Sequence, residues 1–287
     1  MEHILVTGSK GQLGQSICEV SKLYPNKFRF FYTDVEELDI SNLKSIENYC
    51  KENKIETIIN TAAYTAVDLA EEQVELCYLI NRDGIANLSK VAKDQGLFLI
   101  HISTDYVFDG TSKSAYIETD QTNPLSVYGK SKLAGEEMMK RSGIDGAIIR
   151  TSWLYSQYGK NFLKTILHLS KEKSVLQVVD DQYGTPTNGI DLAEVLLQIA
   201  AEKKRIKGVE IFHYTNSGRC SWYDFAQLIV EKSGSTCKVL PVQTDSYPAK
   251  ARRPQDSELS KEKLKFFLGI EIANWEERVE FTLKKLL

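Results

Sequence analysis

The sequence predicts an α/β protein in which a doubly wound parallel sheet is followed by a smaller C-terminal lobe. Short apolar segments rich in β-branched residues alternate with helix-like segments up to residue 152, a pattern typical of βαβ units. A glycine-punctuated turn joins the first of these strands to the first helix, and beyond residue 152 turn-rich pieces interrupt the helices. We therefore expect one domain over residues 1–152 and a lobe mainly over residues 153–287, with segments near 189–215 returning to the sheet.

The individual elements follow from the spacing of apolar residues. The predicted strands are His3–Thr7, Phe28–Thr33, Thr57–Asn60, Leu97–Ser103, Ala147–Ser152 and Ile211–Thr215. The predicted helices are Gln15–Lys22, Ser41–Asn53, Glu71–Gln95, Val127–Ser142, 161–172, 189–204 and 222–233. Turn-rich composition marks Tyr155–Asn161, Asp180–Gly189 and Tyr247–Gln255. Strands that alternate with helices in this way predict a parallel sheet with helices on both faces.

Composition excludes several functional classes. The 287 residues carry a net charge of −3 with basic residues dispersed along the chain, so neither a nucleic-acid surface nor a membrane surface is indicated. No apolar run is long enough to span a bilayer. The five cysteines and four histidines show no metal-ligand spacing, so we expect reduced thiols, a cytoplasmic location and no bound metal.

The glycine-rich turn lies between the first predicted strand and the first predicted helix, and it reads Gly8-Ser9-Lys10-Gly11-Gln12-Leu13-Gly14. Glycines here let the chain turn sharply, let a pyrophosphate approach the backbone, and let the helix pack close to the sheet. The helix N-terminus offers free N–H groups to phosphates. A simple tight turn is the alternative, since the spacing is not G-x-G-x-x-G. The flanking elements favour a Rossmann-type dinucleotide site in residues 1–152. Its predicted contacts are Gly8, Lys10, Gly11, Gln12, Leu13 and Gly14.

Two acidic positions follow the second predicted strand. Asp34 ends that strand, where a carboxylate can hydrogen-bond the adenosine ribose and repel a 2′-phosphate. Asp39 and Ile40 lie on a loop that we expect to reach the adenine. The alternative for Asp34 is an ordinary turn-forming aspartate. If it contacts the ribose, NADH should serve at least as well as NADPH.

Tyr128 and Lys132 stand four residues apart on a predicted helix, so their side chains share one face. An ammonium beside a phenol lowers the phenol's pKa, which suits proton transfer to or from an alcohol or ketone. The alternative is a solvated helix face, because such a pair also arises by chance. Thr104 follows the strand 97–103 at the same edge of the sheet, and its hydroxyl completes a predicted catalytic set around one carbonyl oxygen.

Longer motifs carry a resemblance to a known family. They are Val6-Thr7-Gly8 through Gly14, Asn60-Thr61-Ala62-Ala63-Tyr64-Thr65-Ala66-Val67-Asp68, Ser103-Thr104-Asp105-Tyr106-Val107-Phe108-Asp109-Gly110, Tyr128-Gly129-Lys130, Arg150-Thr151-Ser152-Trp153-Leu154-Tyr155, Asp181-Gln182-Tyr183-Gly184-Thr185-Pro186-Thr187 and Arg253-Pro254. With these motifs the chain resembles the extended short-chain dehydrogenases/reductases, and within them the dTDP-4-dehydrorhamnose reductases. The stretches Ser103–Gly110 and Asp181–Thr187 are the specific ones.

The resemblance implies a concrete reaction. NADH or NADPH would reduce the C4 ketone of dTDP-4-dehydro-L-rhamnose, a dTDP-4-keto-6-deoxy sugar, to dTDP-L-rhamnose. Tyr128 would protonate the alkoxide, and Lys132 would lower the Tyr128 pKa and hold the nicotinamide ribose. Thr104 would hydrogen-bond the carbonyl oxygen.

It also implies further contacts. The cofactor's ribose and nicotinamide side would be lined by Ala62, Ala63 and Thr65, together with Tyr128 and Lys132. The implied substrate contacts are Thr104, Asp105, Tyr106, Val107, Tyr128, Trp153 and Arg253. Trp153 would pack against the sugar, and the Arg253 guanidinium would lie near the phosphates. Core packing for Trp153 and a surface position for Arg253 are the alternatives.

Two other functions stay open at this point. One is another nucleotide-sugar enzyme of the same fold. Related dehydratases carry an acidic residue where this chain has Tyr106, and epimerases usually show a Ser-Ser-type pair in place of Ser103-Thr104. The other is a non-catalytic NAD(P)-binding regulatory subunit, resembling that of methionine adenosyltransferase, which keeps a similar Tyr-Gly-Lys segment.

Assembly is a separate expectation. Some enzymes that resemble this chain dimerise around a magnesium ion held by glutamates, one of them on the first helix. Here that helix has no carboxylate before Glu19. A hard cation needs charged oxygen ligands, so we expect no metal site and a monomer or weak homodimer.

Overall fold

A computed structural model describes residues 1–246 and 249–287. Its strands are β1 (Glu2–Thr7), β2 (Phe28–Thr33), β3 (Thr57–Asn60), β4 (Phe98–Thr104), β5 (Gly146–Thr151), β6 (Leu154–Tyr155), β7 (Val175–Val179), β8 (Tyr183–Gly184), β9 (Thr187–Asn188), β10 (Val209–His213), β11 (Cys220–Ser221) and β12 (Lys238–Val242). Its helices are α1 (Gln12–Ser21), α2 (Leu43–Glu52), α3 (Val67–Ala70), α4 (Val74–Tyr78), α5 (Gly84–Gln95), α6 (Val127–Arg141), α7 (Phe162–Glu172), α8 (Gly189–Ala201), α9 (Trp222–Lys232), α10 (Glu262–Leu268) and α11 (Trp275–Leu286).

The central sheet confirms the predicted fold class. Six parallel strands pair in the order β10-β5-β4-β3-β1-β2. From β1 the chain moves outward to β2 on one side and to β3, β4 and β5 on the other. The strand order therefore reverses beside β1, and ligands of such sheets bind beyond the carboxyl ends of the strands at this point.

Both faces of the sheet are covered, which explains why the strands read as continuous apolar runs. Successive side chains of a strand point to opposite faces. Ile4 and Val6 pack with α1 and α8, whereas Leu5 packs with α2, α5 and α6. Because each helix that follows a strand packs back on the sheet, its N-terminus lies near the carboxyl end of that strand.

The C-terminal half builds a third apolar cluster of its own. It lies among α7, α9, α11 and the parallel pair β7–β12, with Tyr155 and Phe225 fully buried in it. Strand β10 pairs with β5 and so belongs to the central sheet. The assignment of residues 1–152 and 153–287 to separate binding tasks stays a prediction.

Some predicted elements differ from the structure. Helix α1 begins at Gln12 rather than Gln15, because Gly11 takes an extended conformation immediately before it. The predicted helix Glu71–Gln95 is divided into α4, a π-helical turn at Leu79–Asp83 and α5. The turn directs the buried Asn81 amide to both backbone groups of Tyr64, at 2.9 and 3.1 Å.

The sequence patterns missed several C-terminal elements. These are β7, β12, α10, α11 and the short strands β8 and β9 within the predicted turn-rich piece Asp180–Gly189. Of the predicted turn-rich piece Tyr247–Gln255, residues 247 and 248 lie outside the described residues, and 249–255 are irregular. Among the helices of residues 1–246 and 249–287, none is long and apolar enough to cross a membrane.

Candidate active site

A cleft of about 600 Å³ opens at the carboxyl ends of the central strands. Predicted residues that line it are Gly11, Gln12, Leu13, Ala63, Thr65, Thr104, Asp105, Tyr106, Tyr128, Lys132 and Trp153. A second cavity of about 500 Å³ is lined by the predicted residues Gly8, Lys10, Gly11, Asp34, Asp39, Ile40, Ala62 and Ala63. Both cavities share Gly11, Thr61 and Ala63, so they form one continuous groove across the sheet edge.

Helix α6 brings the predicted phenol to this edge. The Ser126 hydroxyl caps the helix by accepting the backbone N–H of Gly129 at 3.2 Å. A β-carbon at position 129 would overlap the carbonyl of Tyr106, so glycine permits the close approach of α6 to the end of β4. The Tyr128 ring then packs edge-on against Tyr106, with ring centroids 5.6 Å apart.

The Lys132 amino group is buried beneath the cleft. Its Nζ donates to the carbonyl of Ile102 at 2.6 Å and lies 3.4 Å from His101 Nε2. Burial lowers the pKa of Lys132 to about 8, although the negative charge of Glu136 opposes that shift. Near neutral pH the ammonium is therefore present but loses its proton more readily than an exposed lysine.

The Tyr128 pKa differs from the sequence-based expectation. Burial raises it, and a hydrogen bond with the Thr104 hydroxyl offsets only part of that rise. We expected the Lys132 ammonium to lower this pKa, but its short contact is to the Ile102 carbonyl. A phenol of raised pKa stays protonated at neutral pH, which suits a proton donor.

A hydroxyl and a carboxyl stand next to the phenol. Thr104 Oγ1 donates to Asp105 Oδ1 at 3.0 Å and accepts the backbone N–H of Tyr106 at 3.2 Å. Asp105 is 2% exposed, and burial raises its pKa to about 6. Both side chains line the cleft at the end of β4, as the sequence predicted.

A second buried set lies behind the cleft, and the sequence analysis missed it. Glu136 follows Lys132 by one helical turn and accepts two hydrogen bonds from Arg150, at 2.9 and 2.7 Å. The Ser103 hydroxyl donates to the same carboxylate at 2.5 Å. This network joins α6 to β4 and β5 and holds the helix in register. The i, i+4 spacing of Tyr128, Lys132 and Glu136 was the signal available in the sequence.

Two stacked indoles form the far wall of the cleft. Trp153 has a positive φ of 46°, and its ring lies 3.6 Å from that of Trp222 at an angle of 11°. A β-carbon at Gly184 would approach the Trp153 ring to 2.9 Å, so glycine makes room for the indole. Trp222 also lines the cleft, and sequence reasoning missed it. Its place at the first position of α9 could not indicate this, because the partner indole is distant in the chain.

Three predicted site residues line neither cavity. The Val107 side chain is fully buried in an apolar cluster with Phe108, so it is not available to a ligand. The Arg253 guanidinium pairs with both carboxylate oxygens of Asp68, at 3.2 and 2.8 Å, and lines neither cavity. Gly14 serves packing, since a β-carbon there would approach the Gly8 carbonyl oxygen to 2.7 Å.

The second cavity has the character of an adenosine site. Val35, Leu38, Ile40, Leu76 and Leu79 give it an apolar lining. The partly exposed leucines and valine among them are apolar surface that a nucleobase would cover.

The acidic residues of this cavity support its loops. Asp34 accepts backbone N–H groups from Lys10 and Val35, at 2.8 and 2.9 Å. Asp39 Oδ1 accepts the backbone N–H of Ser41 at 2.8 Å. Asp34 therefore has the geometry of a turn-forming aspartate while it also lines the cavity, and the two interpretations of this residue are compatible.

The backbone around the glycine loop fits a dinucleotide pyrophosphate. Gly8 has φ +66°, and a β-carbon there would come within 2.6 Å of the Ala62 backbone. Gly11 precedes α1 without a side-chain cap, so the first N–H groups of this ten-residue helix are available to phosphate oxygens.

In the part of the chain that the structure describes, carboxylates, cysteines and histidines do not gather into a metal site. Within residues 1–246 and 249–287 no group of three or more of them has the geometry to hold a metal ion. Glu19 is engaged instead by Tyr158 Oη at 2.5 Å, Gln157 Nε2 at 2.6 Å and Lys285 Nζ at 2.6 Å.

Comparisons with known proteins agree with this geometry. The family model described as RmlD substrate binding domain matches residues 1–287. A dTDP-4-dehydrorhamnose reductase of Aggregatibacter actinomycetemcomitans is 39% identical, with 98% of each chain covered. Two solved dTDP-4-dehydrorhamnose reductases are similar over 99% of each chain. That of Clostridium acetobutylicum is 42% identical with a TM-score of 0.93, and that of Bacillus anthracis, in complex with NADP, is 36% identical with a TM-score of 0.94. The chain therefore belongs to the RmlD substrate binding domain family.

Proposed function

We propose that this protein reduces the C4 ketone of dTDP-4-dehydro-L-rhamnose to dTDP-L-rhamnose, with NADH or NADPH as the reductant. The observation that carries the proposal is a single groove. It joins the cavity beside the glycine loop to the buried set of Thr104, Tyr128 and Lys132. Family membership supports the choice of substrate, because the relative and the two solved structures named above are dTDP-4-dehydrorhamnose reductases.

The chemistry needs one hydride and one proton. When bound, the reduced nicotinamide supplies the hydride to the sugar C4. Tyr128 donates its phenolic proton to the carbonyl oxygen, which becomes the alcohol, and its raised pKa keeps that proton in place beforehand. The Thr104 hydroxyl turns its proton from Asp105 Oδ1 to the same oxygen and donates a hydrogen bond there as negative charge develops.

Lys132 and the cleft walls position the reactants. One N–H of Lys132 is fixed on the Ile102 carbonyl, which leaves the others for the nicotinamide ribose. The Trp153–Trp222 pair offers an apolar wall to the 6-deoxy sugar. Residues 1–152 supply the dinucleotide contacts, and the lobe over residues 153–287 serves mainly to bind the substrate.

Cofactor preference and assembly belong to the same proposal. Asp34 lines the adenosine cavity with a negative charge, which disfavours a 2′-phosphate, so NADH is used at least as well as NADPH. The protein works as a monomer or weak homodimer. The Glu19 carboxylate at the first helix is already neutralised by Lys285, which leaves it a poor cation ligand.

Oxidation of NADH in the presence of dTDP-4-dehydro-L-rhamnose tests the function. We expect one NADH consumed for each dTDP-L-rhamnose formed. An epimerase or dehydratase would convert nucleotide sugars without net consumption of NADH, and a regulatory subunit would bind the dinucleotide without turnover. Either result would contradict the proposal.

A further inference from the structure

Charged side chains on the rim of the adenosine cavity form a closed set of contacts that the proposed chemistry does not use. Lys10 Nζ lies 2.8 Å from Glu36 Oε2 and 3.1 Å from Glu37 Oε1. The other Glu37 oxygen accepts the backbone N–H of Asp34 at 2.9 Å, and Asp34 Oδ2 accepts the backbone N–H of Lys10 at 2.8 Å. Three carboxylates and one ammonium therefore join the glycine loop to the loop after β2.

Lys10 differs in charge from the other residues that line this cavity. It is their single basic residue, whereas Asp34 and Asp39 are acidic. In sheets of this kind the end of the second strand faces the adenosine ribose, where an acidic residue binds a 2′-hydroxyl and a basic one accommodates a 2′-phosphate. A phosphate at this position would depend on Lys10 for its counter-charge.

We propose that Glu36 and Glu37 set the choice between NADH and NADPH by holding the Lys10 ammonium that a 2′-phosphate would need. The carboxylates occupy the position on Lys10 that phosphate oxygens would take. NADPH has to displace them, whereas NADH leaves them in place. This inference rests on the proposed use of a nicotinamide dinucleotide.

The exposure and the charge of these three side chains determine how strongly they affect NADPH binding. The Lys10, Glu36 and Glu37 side chains are 58%, 67% and 50% exposed, and ion pairs of this kind contribute little to stability. Breaking them is therefore easy, so the competition between these carboxylates and a 2′-phosphate for Lys10 disfavours NADPH only modestly. Hydrogen bonding to Lys10 lowers the pKa of both glutamates, so both remain charged at neutral pH. The structure thus points to a modest and tunable preference for NADH.

Dissociation constants of NADH and NADPH, measured without sugar by nicotinamide fluorescence, test the proposal. In the double variant Glu36→Gln/Glu37→Gln the NADPH affinity should rise about tenfold, since the Lys10 ammonium is then free to pair with the 2′-phosphate. The NADH affinity should change less than about threefold, because a 2′-hydroxyl carries no charge. Adding Lys10→Gln to the double variant should abolish the NADPH gain.

A matched control removes a carboxylate from a similar exposed pair elsewhere. Glu47→Gln breaks the Lys44–Glu47 pair, whose N–O distance is 3.0 Å, and neither residue lines the cavity. It should leave the NADH/NADPH ratio unchanged. An unchanged ratio in the double variant, or a gain that persists without Lys10, would overturn the inference. Failure of the wild-type protein to bind either dinucleotide would overturn the proposed function as well, so the two failures are distinguishable.

Discussion

The two ends of the groove use charge in different ways. At the end proposed to hold the nicotinamide, Lys132 and Asp105 are each 2% exposed, and burial moves their pKa values to about 8 and about 6. At the end proposed to hold the adenosine, Lys10, Glu36 and Glu37 are half exposed or more, and their pKa shifts come first from hydrogen bonds to one another. Desolvated groups can change protonation state near neutral pH, whereas exposed ones act as fixed, screened charges. The buried end therefore suits chemistry, and the exposed end suits discrimination between ligands.

The largest expected effect is at the buried end. Tyr128→Phe keeps the ring but removes the transferable proton, so kcat should fall about a hundredfold or more. The NADH dissociation constant should stay nearly constant. Tyr49→Phe deletes a hydroxyl from α2, outside both cavities, and should leave kcat unchanged. Steady-state kinetics within a few-fold of wild type for Tyr128→Phe would remove this phenol from the mechanism.

The pH dependence of kcat tests whether a buried Lys132 ammonium is required for the reaction. The Lys132 pKa is lowered to about 8, so the ammonium is present below that pH and lost above it. We expect kcat to decline about tenfold per pH unit above about pH 8. The contribution of Lys132 to the free energy of unfolding changes with pH in the opposite direction. The unfolded chain holds the Lys132 proton up to about 10.5, so this group makes the protein more stable as the pH rises from about 8 to 10.5. A kcat that stays flat to about pH 10 would contradict a required, buried ammonium.

A smaller effect is expected at the Trp153–Trp222 wall, which is proposed to face the sugar. Trp153→Ala should lower kcat/KM about tenfold, the worth of one aromatic contact, and leave NADH affinity unchanged. Trp153→Phe should retain most of the activity, since an aromatic face remains to stack on Trp222. Normal kinetics for the alanine variant, or a collapse of its thermal stability, would favour a core-packing role for this indole.

The smallest expected effect concerns metal ions, which neither end of the groove is predicted to need. Because Glu19 is hydrogen-bonded to Tyr158, Gln157 and Lys285, it has little capacity left for a cation. Activity and light-scattering mass should be the same with magnesium and with EDTA. A dimer that forms only with magnesium, together with activity lost to the chelator, would reveal ligands not identified above.

The sequence by itself determined the fold class and the outline of the groove. Apolar segments with β-branched residues placed every strand of the central sheet to within about two residues, because buried parallel strands leave a strong local pattern. Gly8 and Gly11 could be predicted as loop residues from the sequence, because a sharp turn before a helix restricts residue type. The pairing of Tyr128 and Lys132 could be predicted from the sequence, because i, i+4 spacing puts two side chains on one helix face independently of the rest of the chain.

Only the tertiary structure decided which groups meet across the fold. Arg253 pairs with Asp68, far away in the chain, and Trp222 stacks on Trp153. The direction of the Tyr128 pKa shift also needed the structure, because burial raises this pKa and the spacing in the sequence does not report burial. Local patterns report on backbone conformation and on which face is apolar. Side-chain contacts between distant segments, and the desolvation that follows from them, arise only when those segments pack together.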